Sequence, residues 1–266
     1  MIEQTKIEDC FTPAVLIDVG SSLLRIIDSN ISNTYNNMFL AFDSQIVLYG
    51  TKITNHTCKS KIQGCVIFAQ SKSLINGINV IISNIQSLTD DNILISASFA
   101  VFNNLFMLNV QVNKGKGSCL GAIESHIELN FVRFEKYLAN CLNIEKSYIS
   151  TSNTIFEDNL NDGNIRSFGA FYCLNCLLNI IMNSKFQQNK NVQNGAAVFL
   201  INDFKNKSLG TEISLGTIDN CTFFQNIAVE NGGAIYLENQ LISIKNSFFF
   251  QNQAKKGGAL YNYIAG

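Results

Sequence analysis

The feature that most constrains this chain is an internal repeat of about 25 residues. A seven-residue pattern, N-x-x-F-x-x-N, recurs along the sequence, and a step of small residues, Gly-Ala or Gly-Gly-Ala, follows the copies. The seven-residue pattern occupies residues 103–109, 153–159, 183–189, 220–226 and 246–252. The small-residue steps begin at Gly121, Gly169, Gly195, Gly232 and Gly257. A fixed period of this length is the signature of a solenoid, so residues 1–266 are predicted to form one repeat domain.

Within each repeat the hydrophobic pattern has the period of β-strands. Residues 234–237 and 241–244 alternate, and a third short run begins at Phe248. Three short strands per repeat, separated by Asn and Gly turns, predict an all-β fold, a right-handed parallel β-helix of about ten coils. Residues 1–14 are predicted to cap its N-terminal end, and residues 202–210 to form a loop insertion. A leucine-rich repeat has a similar period, but its L-x-x-L-x-L framework is missing.

Stacking of the coils in register would place equivalent side chains over one another. The motif phenylalanines are expected to form an inward column, and the asparagines that end the motif an amide ladder. The small-residue steps predict a second apolar column of Ile123, Phe171, Val198, Ile235 and Leu260. The predicted structural ladders are Phe156, Phe186, Phe223 and Phe249, and Asn159, Asn189, Asn226 and Asn252. The thirty-five asparagines suit a fold with many tight turns, because Asn tolerates the left-handed conformation.

Strand alternation places one aromatic side chain on the outside of each of four consecutive coils. These are Tyr172, Phe199, Tyr236 and Tyr261. One interpretation is that they only stack on each other and stiffen the sheet. The other is that they form a binding platform for carbohydrate or for another surface protein, because exposed apolar stripes mark contact sites.

The eight cysteines allow two interpretations. Free cysteines can act as small core residues. Alternatively, Cys119 and Cys141 each immediately precede the predicted start of a coil, so a disulfide between them is a hypothesis. Cys173 and Cys176 have C-x-x-C spacing, but a zinc ribbon needs a second such pair, and the sequence has none. No metal site is therefore predicted.

No catalytic residue and no cofactor site is predicted. The adjacent acids Asp90 and Asp91 are interpreted as a turn, and Glu124 and Glu145, placed at equivalent positions of adjacent coils, as a solvated face. Neither histidine has the glycine neighbours of a galacturonase-type site, and no arginine is expected beside a carboxylate at a repeat position. The histidines are His56 and His126, and the arginines are Arg25, Arg133 and Arg166. A polysaccharide-degrading enzyme, the alternative function, would need converging carboxylates.

The charge and hydropathy of the sequence restrict the classes of partner that the chain can bind. A net charge of −1 argues against a nucleic-acid surface, which would need a basic face. The sequence has no apolar run of 18 residues to cross a membrane, and its first twenty residues show no signal peptide. Four N-glycosylation sequons are present, a number that chance explains at this asparagine content. They begin at Asn30, Asn55, Asn206 and Asn220.

The pairing of F-x-x-N with G-G-A-I resembles the repeat of the polymorphic outer-membrane protein family. The pairs that carry the resemblance are residues 223–226 with 232–235, 249–252 with 257–260, 186–189 with 195–198, and 156–159 with 169–171. The resemblance implies a pectin-lyase-like β-helix, display at the cell surface or outside the cell, and a non-enzymatic structural or adhesion role. The resemblance also implies membrane association. Because the sequence stops a few residues into a new coil and starts without a signal peptide, the chain is expected to be a fragment of a longer protein.

Overall fold

The computed structural model describes residues 1–10, 15–58, 65–87, 91–112, 117–138, 140–161, 169–191, 193–203 and 215–264. In chain order its strands are β1 (Ile2–Glu3), β2 (Lys6–Glu8), β3 (Val15–Gly20), β4 (Leu23–Ile27), β5 (Asn30–Ser32), β6 (Asn37–Phe42), β7 (Gln45–Tyr49), β8 (Lys52–Cys58), β9 (Ile67–Gln70), β10 (Leu74–Ser87), β11 (Ile93–Ser96), β12 (Phe99–Val112), β13 (Ser118–Ile123), β14 (His126–Asn130), β15 (Arg133–Glu135), β16 (Asn140–Glu145), β17 (Tyr148–Ser152), β18 (Ile155–Glu157), β19 (Leu160–Asn161), β20 (Phe171–Leu174), β21 (Leu178–Met182), β22 (Lys185–Gln187), β23 (Lys190–Asn191), β24 (Val198–Ile201), β25 (Leu215–Asp219), β26 (Thr222–Phe224), β27 (Ile227–Ala228), β28 (Ile235–Glu238), β29 (Leu241–Lys245), β30 (Phe248–Phe250) and β31 (Leu260–Tyr263).

Every strand pairing is parallel, and the strands form three sheets. The first sheet, in the order β3-β6-β9-β11-β13-β16-β20-β24-β28-β31, has ten strands, which fits about ten coils. The second sheet has eighteen strands in two halves, and β10 and β12 run through both. The third sheet is short and consists of β19, β23 and β27. No helix occurs in the described part of the chain. The prediction of a right-handed parallel β-helix is confirmed.

The corners of the coils turn on residues in the left-handed conformation. The corner between the first and second sheets has φ between 47° and 67° at Ser21, Asp43, Lys72, Ala97, Glu124, Lys146, Asn175 and Asn239. The corner between the two halves of the second sheet has φ between 45° and 58° at Gln4, Asp28, Gly50, Asn79, Asn104, Phe131, Asn153, Asn183, Asn220 and Asn246. The corner after the second half has φ between 51° and 58° at Asp9, Asn33, Asn55, Asn84, Asn109, Lys136, Asp158, Gln188, Gln225 and Gln251. Asn adopts this conformation more readily than most residues, and at least thirteen of the thirty-five asparagines have a positive φ.

The seven-residue motif therefore has a geometric meaning. Its first asparagine, such as Asn153, is the left-handed corner residue. Its phenylalanine, Phe156, is the central and inward residue of the short strand β18. Its last asparagine, Asn159, follows the second corner residue, Asp158, and is buried.

The phenylalanines stack inside the helix. Ring centroids lie 4.5 Å apart for Phe156 and Phe186, 5.0 Å for Phe186 and Phe223, and 4.7 Å for Phe223 and Phe249, with nearly parallel planes. The column also includes Phe134, 5.1 Å from Phe156, which the motif search missed. Toward the N-terminus, aliphatic residues hold the same position: Ile7, Ile31, Ile53, Ile82 and Met107.

The asparagines that end the motif form a hydrogen-bonded ladder beside the phenylalanines. Asn159 Nδ2 donates to Asn189 Oδ1 at 2.7 Å, and the same bond joins Asn189 to Asn226 and Asn226 to Asn252, both at 2.9 Å. Each acceptor also receives the backbone N–H of the preceding asparagine. Three of the amides also donate to a backbone carbonyl, so these buried side chains are well satisfied.

A serine ladder that the sequence search missed holds the corner between the first and second sheets. The backbone N–H of each serine donates to the hydroxyl of the serine in the next coil, at 2.9–3.3 Å. The hydroxyls in turn donate to nearby carbonyls. The ladder runs through Ser22, Ser44, Ser73, Ser98, Ser125 and Ser147.

Two details of the predicted register are wrong in the earlier coils. The apolar column passes through Leu120, which pairs with Ile93 and Leu142, and Ile123 lies three residues later with 38% of its surface exposed. In the copy at residues 103–109, Met107 is the inward residue, one position after Phe106. Phe106 and Ile123 match the repeat in residue type but not in register. A shift of one residue is enough to move a strand side chain to the other face of the sheet.

The predicted cap and insertion lie only partly within the described residues. In the cap, β1 and β2 pair with β4 and β5 and extend the second sheet, and residues 11–14 lie outside the described residues. In the insertion, residues 202 and 203 follow β24, and residues 204–210 also lie outside the described residues. Both assignments stay predictions.

Asn189→Ala should lower the free energy of unfolding by about 1–3 kcal/mol, because it strips buried partners from Asn159 and Asn226. Urea denaturation followed by circular dichroism measures the change. The matched control is Gln188→Ala at the neighbouring exposed corner position, which should stay within about 0.5 kcal/mol of the parent. Equal losses for the two variants would contradict an energetic role for the ladder.

Candidate functional site

The predicted aromatic stripe is a continuous stack on the outer side of the first sheet. Ring centroids of Tyr172 and Phe199 lie 5.6 Å apart, those of Phe199 and Tyr236 4.7 Å, and those of Tyr236 and Tyr261 5.6 Å. The hydroxyl of Tyr236 donates to Glu238 Oε2 at 2.9 Å.

The stack is more covered than the sequence predicts. Tyr172, Phe199 and Tyr236 are only 4–8% exposed, and Tyr261 is half-buried. Gly195 explains part of this cover, because a Cβ added there would lie 2.9 Å from the Cβ of Tyr236. The absence of a side chain at Gly195 therefore lets its backbone lie close to the Cβ atoms of Tyr236 and Phe199. This geometry favours mutual stacking, and the binding role of the stripe stays a prediction.

A second aromatic group lies open to solvent on the second sheet. Phe248 is 59% and Phe250 46% exposed, and the ring of Phe250 lies 5.8 Å from that of Phe224 and 6.0 Å from that of Phe248. The corner residues Gln225 and Gln251 follow directly and are joined by a side-chain hydrogen bond of 2.9 Å. We call these five residues the aromatic–amide face.

A shallow groove of about 420 Å³ adjoins this face. Its lining consists mainly of amide side chains from the corner column and the third sheet: Asp158, Gln188, Lys190, Gln225, Ile227, Gln251 and Gln253. The alternation of the sequence could have located the face, because Phe224, Phe248 and Phe250 flank inward phenylalanines in the runs at 223–224 and 248–250.

One constellation resembles an enzyme site and corrects the expectation about arginine. The side chain of Arg133, in β15, donates from Nε to Glu135 at 3.0 Å and from Nη2 to Glu157 at 2.5 Å. Glu157 lies in β18 and is the register partner of Glu135. Gln187, one coil further, also donates to Glu157. Both carboxylates are thus occupied by donors, whereas acid–base hydrolysis needs carboxyl groups that face a substrate.

The other polar residues considered for catalysis serve local contacts. Glu145 is in register with Ile123, so Glu124 and Glu145 are not at equivalent positions, and Lys146 lies within 3.8 Å of both. Asp91 accepts two hydrogen bonds from Ser118, whereas residue 90 lies outside the described residues. His126 packs between two aromatic rings, those of Phe99 and Tyr148, and lies 3.2 Å from Glu128.

At Cys119 and Cys141, the structure agrees with the interpretation of the cysteines as small core residues. Cys119 and Cys141 are fully buried thiols, and no bond joins them, so the hypothesised disulfide is not present. Their neighbours in β13 and β16 are in register, so the two thiols lie one above the other in adjacent coils, close enough to hydrogen-bond each other. Burial raises the pKa of Cys119 and of the adjacent Tyr137. The disulfide that is present joins Cys173 and Cys176, whose Cα atoms are 6.0 Å apart.

One group of side chains has the composition of a metal site, although none was predicted. His56, Cys58 and Cys65 are all buried, and one ligand atom from each lies within 4.8 Å of the others. No residue pattern marks this group, because residues 56 and 58 end one strand and residue 65 precedes the next.

The repeat match agrees with the geometry of the last coils. Residues 220–238 and 246–263 match the Chlamydia polymorphic membrane protein repeat, which confirms the predicted resemblance in these two segments. No curated protein is significantly similar in sequence to the chain. No helix in the described ranges is long and apolar enough to cross a membrane.

Three solved structures illustrate the similarity of shape. The A-module of mannuronan C-5 epimerase AlgE6 from Azotobacter vinelandii aligns over 99% of this chain and 80% of its own, with 9% identity and a TM-score of 0.42. The surface protein and adhesin PfbA of Streptococcus pneumoniae aligns over 98% and 91%, with 12% identity and a TM-score of 0.25. HetL, a pentapeptide repeat protein from Nostoc sp. strain PCC 7120, aligns over 96% and 90%, with 8% identity and a TM-score of 0.25. None of these identities transfers an activity.

Tyr236 should weaken the fold in alkaline solution. Burial, with the hydrogen bond to Glu238, raises the pKa of Tyr236 above the ordinary tyrosine value of about 10. The unfolded chain therefore loses this proton first, and the stability that Tyr236 contributes is present below about pH 10 and falls as the pH rises further. When the free energy of unfolding is measured between pH 8 and 11, Tyr236→Phe should reduce its slope against pH by the equivalent of at most one proton. The control Tyr148→Phe removes an exposed tyrosine hydroxyl; an unchanged slope for Tyr236→Phe would contradict the assignment.

Proposed function

We propose that this chain is a non-enzymatic interaction module of a surface protein and that its aromatic–amide face binds uncharged carbohydrate. The observation that carries the proposal is the outward row of Phe224, Phe248 and Phe250, which flank the inward Phe223 and Phe249 and lie beside the hydrogen-bonded amides of Gln225 and Gln251. The repeat match at residues 220–238 and 246–263 supports surface display, since that repeat comes from polymorphic membrane proteins.

The chemistry of the face favours a sugar over a charged ligand. Aromatic rings pack against the C–H faces of sugar rings, and glutamine amides both donate to and accept from hydroxyls. None of the five side chains of the face carries a charge. The adjoining groove passes residues of three successive coils, Gln188, Gln225 and Gln251, so it follows the long axis and suits an extended chain of sugars.

The non-enzymatic part of the proposal rests on how the polar groups are used. The amides of Asn159, Asn189, Asn226 and Asn252 are committed to the ladder, and the hydroxyls of the serine ladder to the corner between the first and second sheets. A polysaccharide-acting enzyme remains the second candidate because Glu135 and Glu157 lie side by side with Arg133 between them.

Binding can be tested on a glycan array of neutral polysaccharides, with affinities then measured by calorimetry. The double variant Phe248→Ser/Phe250→Ser should lower affinity for the bound glycan about tenfold or more, because it removes both exposed rings. The matched control is Phe42→Ser, which removes a phenylalanine that is 53% exposed on the first sheet. Absence of binding to every glycan, or equal losses in the double variant and the control, would overturn the carbohydrate proposal.

The enzyme alternative has its own assay. The intact chain is expected to release neither reducing ends nor unsaturated products from neutral or acidic polysaccharides. Product formation that Glu157→Gln abolishes, with the circular dichroism spectrum unchanged, would establish the enzyme and refute the non-enzymatic proposal.

A further inference from the structure

A buried group of two thiols and an imidazole lies where β8 ends and β9 begins. His56 and Cys58 belong to β8, and Cys65 lies two residues before β9. All three side chains are at most 2% exposed. One ring nitrogen of His56 and the sulfurs of Cys58 and Cys65 lie within 4.8 Å of one another. This proximity brings together the ligand types that soft and borderline cations prefer.

His56 has one ring nitrogen satisfied and one unsatisfied. It occupies the column that the asparagine ladder fills in later coils, with Thr34 in the coil before it and Ile85 in the coil after it. Thr34 Oγ1 lies 2.7 Å from His56 Nδ1, whereas Nε2 has no hydrogen-bond partner among the described residues. The apolar Ile85 offers it none. An unsatisfied buried nitrogen is costly, so Nε2 is available for a ligand.

The two thiols are held in an equally apolar setting. Burial, reinforced by Cys58, raises the pKa of Cys65, and Ser87 hydrogen-bonds the same sulfur. Ser87 is in register with Cys58 and is itself buried. A bound cation would replace the thiol protons and supply the positive charge that thiolates in such a site need.

We propose that His56 Nε2, Cys58 Sγ and Cys65 Sγ bind one zinc ion. Binding would exchange two thiol protons for Zn²⁺ and release them to solvent, which leaves a neutral unit of one dication and two thiolates. Neutrality matters because an uncompensated charge is expensive in a buried site. Cu⁺ would leave the same unit with a charge of −1. The Ser87 hydroxyl or a water completes the tetrahedron.

The role of this zinc site is structural. Asn159, Asn189, Asn226 and Asn252 hold their corner by side-chain hydrogen bonds, and no asparagine occupies that column at positions 34, 56 or 85. Zinc would tie the end of β8 to the chain before β9 across this weaker part of the column. With Nε2 on zinc, Nδ1 would carry the proton and donate to Thr34 Oγ1, which would fix the ring of His56, as outer partners of metal-binding histidines do.

The test uses the full chain with Cys173→Ser and Cys176→Ser, so that reduction does not free a second dithiol. The protein is reduced, stripped with a chelator and titrated with Co²⁺ and then Zn²⁺ without oxygen. One Co²⁺ per chain should bind with thiolate charge-transfer absorption, and Zn²⁺ should displace it. Cys58→Ser and Cys65→Ser should abolish the charge-transfer bands or weaken binding on the order of 100-fold, and Thr34→Val should weaken it about 10–100-fold. The matched control Cys221→Ser, at a buried cysteine elsewhere, should bind as the parent does.

Three results would overturn the proposal. They are the absence of thiolate absorption in folded protein, absorption that survives both cysteine variants, and a Cys58–Cys65 disulfide in protein prepared without oxygen. Where a variant fails to fold, X-ray absorption of the zinc-loaded parent decides instead. Two sulfurs and one imidazole nitrogen support the site, and a shell without sulfur refutes it.

Discussion

The structure depends on in-register hydrogen bonding between parallel coils. Each first-sheet strand pairs residue for residue with the strand in the next coil, as Ile235 does with Val198 and Leu260. Each inward side chain therefore has the equivalent residues of two neighbouring coils as its closest contacts. A polar side chain can be buried at such a position when its neighbour offers a complementary group, and otherwise the position must be apolar.

This constraint divides the core into two regimes. From Phe134 to Phe249 the inward column is a stack of aromatic rings, and the asparagine ladder runs beside it. In the N-terminal half the same column is aliphatic, and the serine ladder holds the opposite corner. Aromatic rings and amides are planar groups that stack at the spacing of parallel strands. The phenylalanine stack and the asparagine ladder therefore suit the same coils.

The fold could be predicted because the last coils repeat both motif and spacing. The register of the earlier coils could not, since Phe106 and Ile123 match the motif in letters but not in position. The corner columns accept Asn, Asp, Gln, Lys and even Phe131, so no single letter marks them. Alternation predicted that Tyr236 points outward, but its burial depends on the backbone at Gly195, which a residue pattern does not encode.

A solenoid of this kind indicates function by departures from its own pattern. A residue that continues a ladder is explained by the stack, as Asn189 is. His56 interrupts the same column with a ring whose Nε2 is unsatisfied, and Phe248 and Phe250 place large apolar rings where a solvated strand face needs none. Each departure carries a free-energy cost that stacking does not offset. A ligand that engages the nitrogen, or that covers the rings, would offset it, and so these positions are the ones that binding explains best.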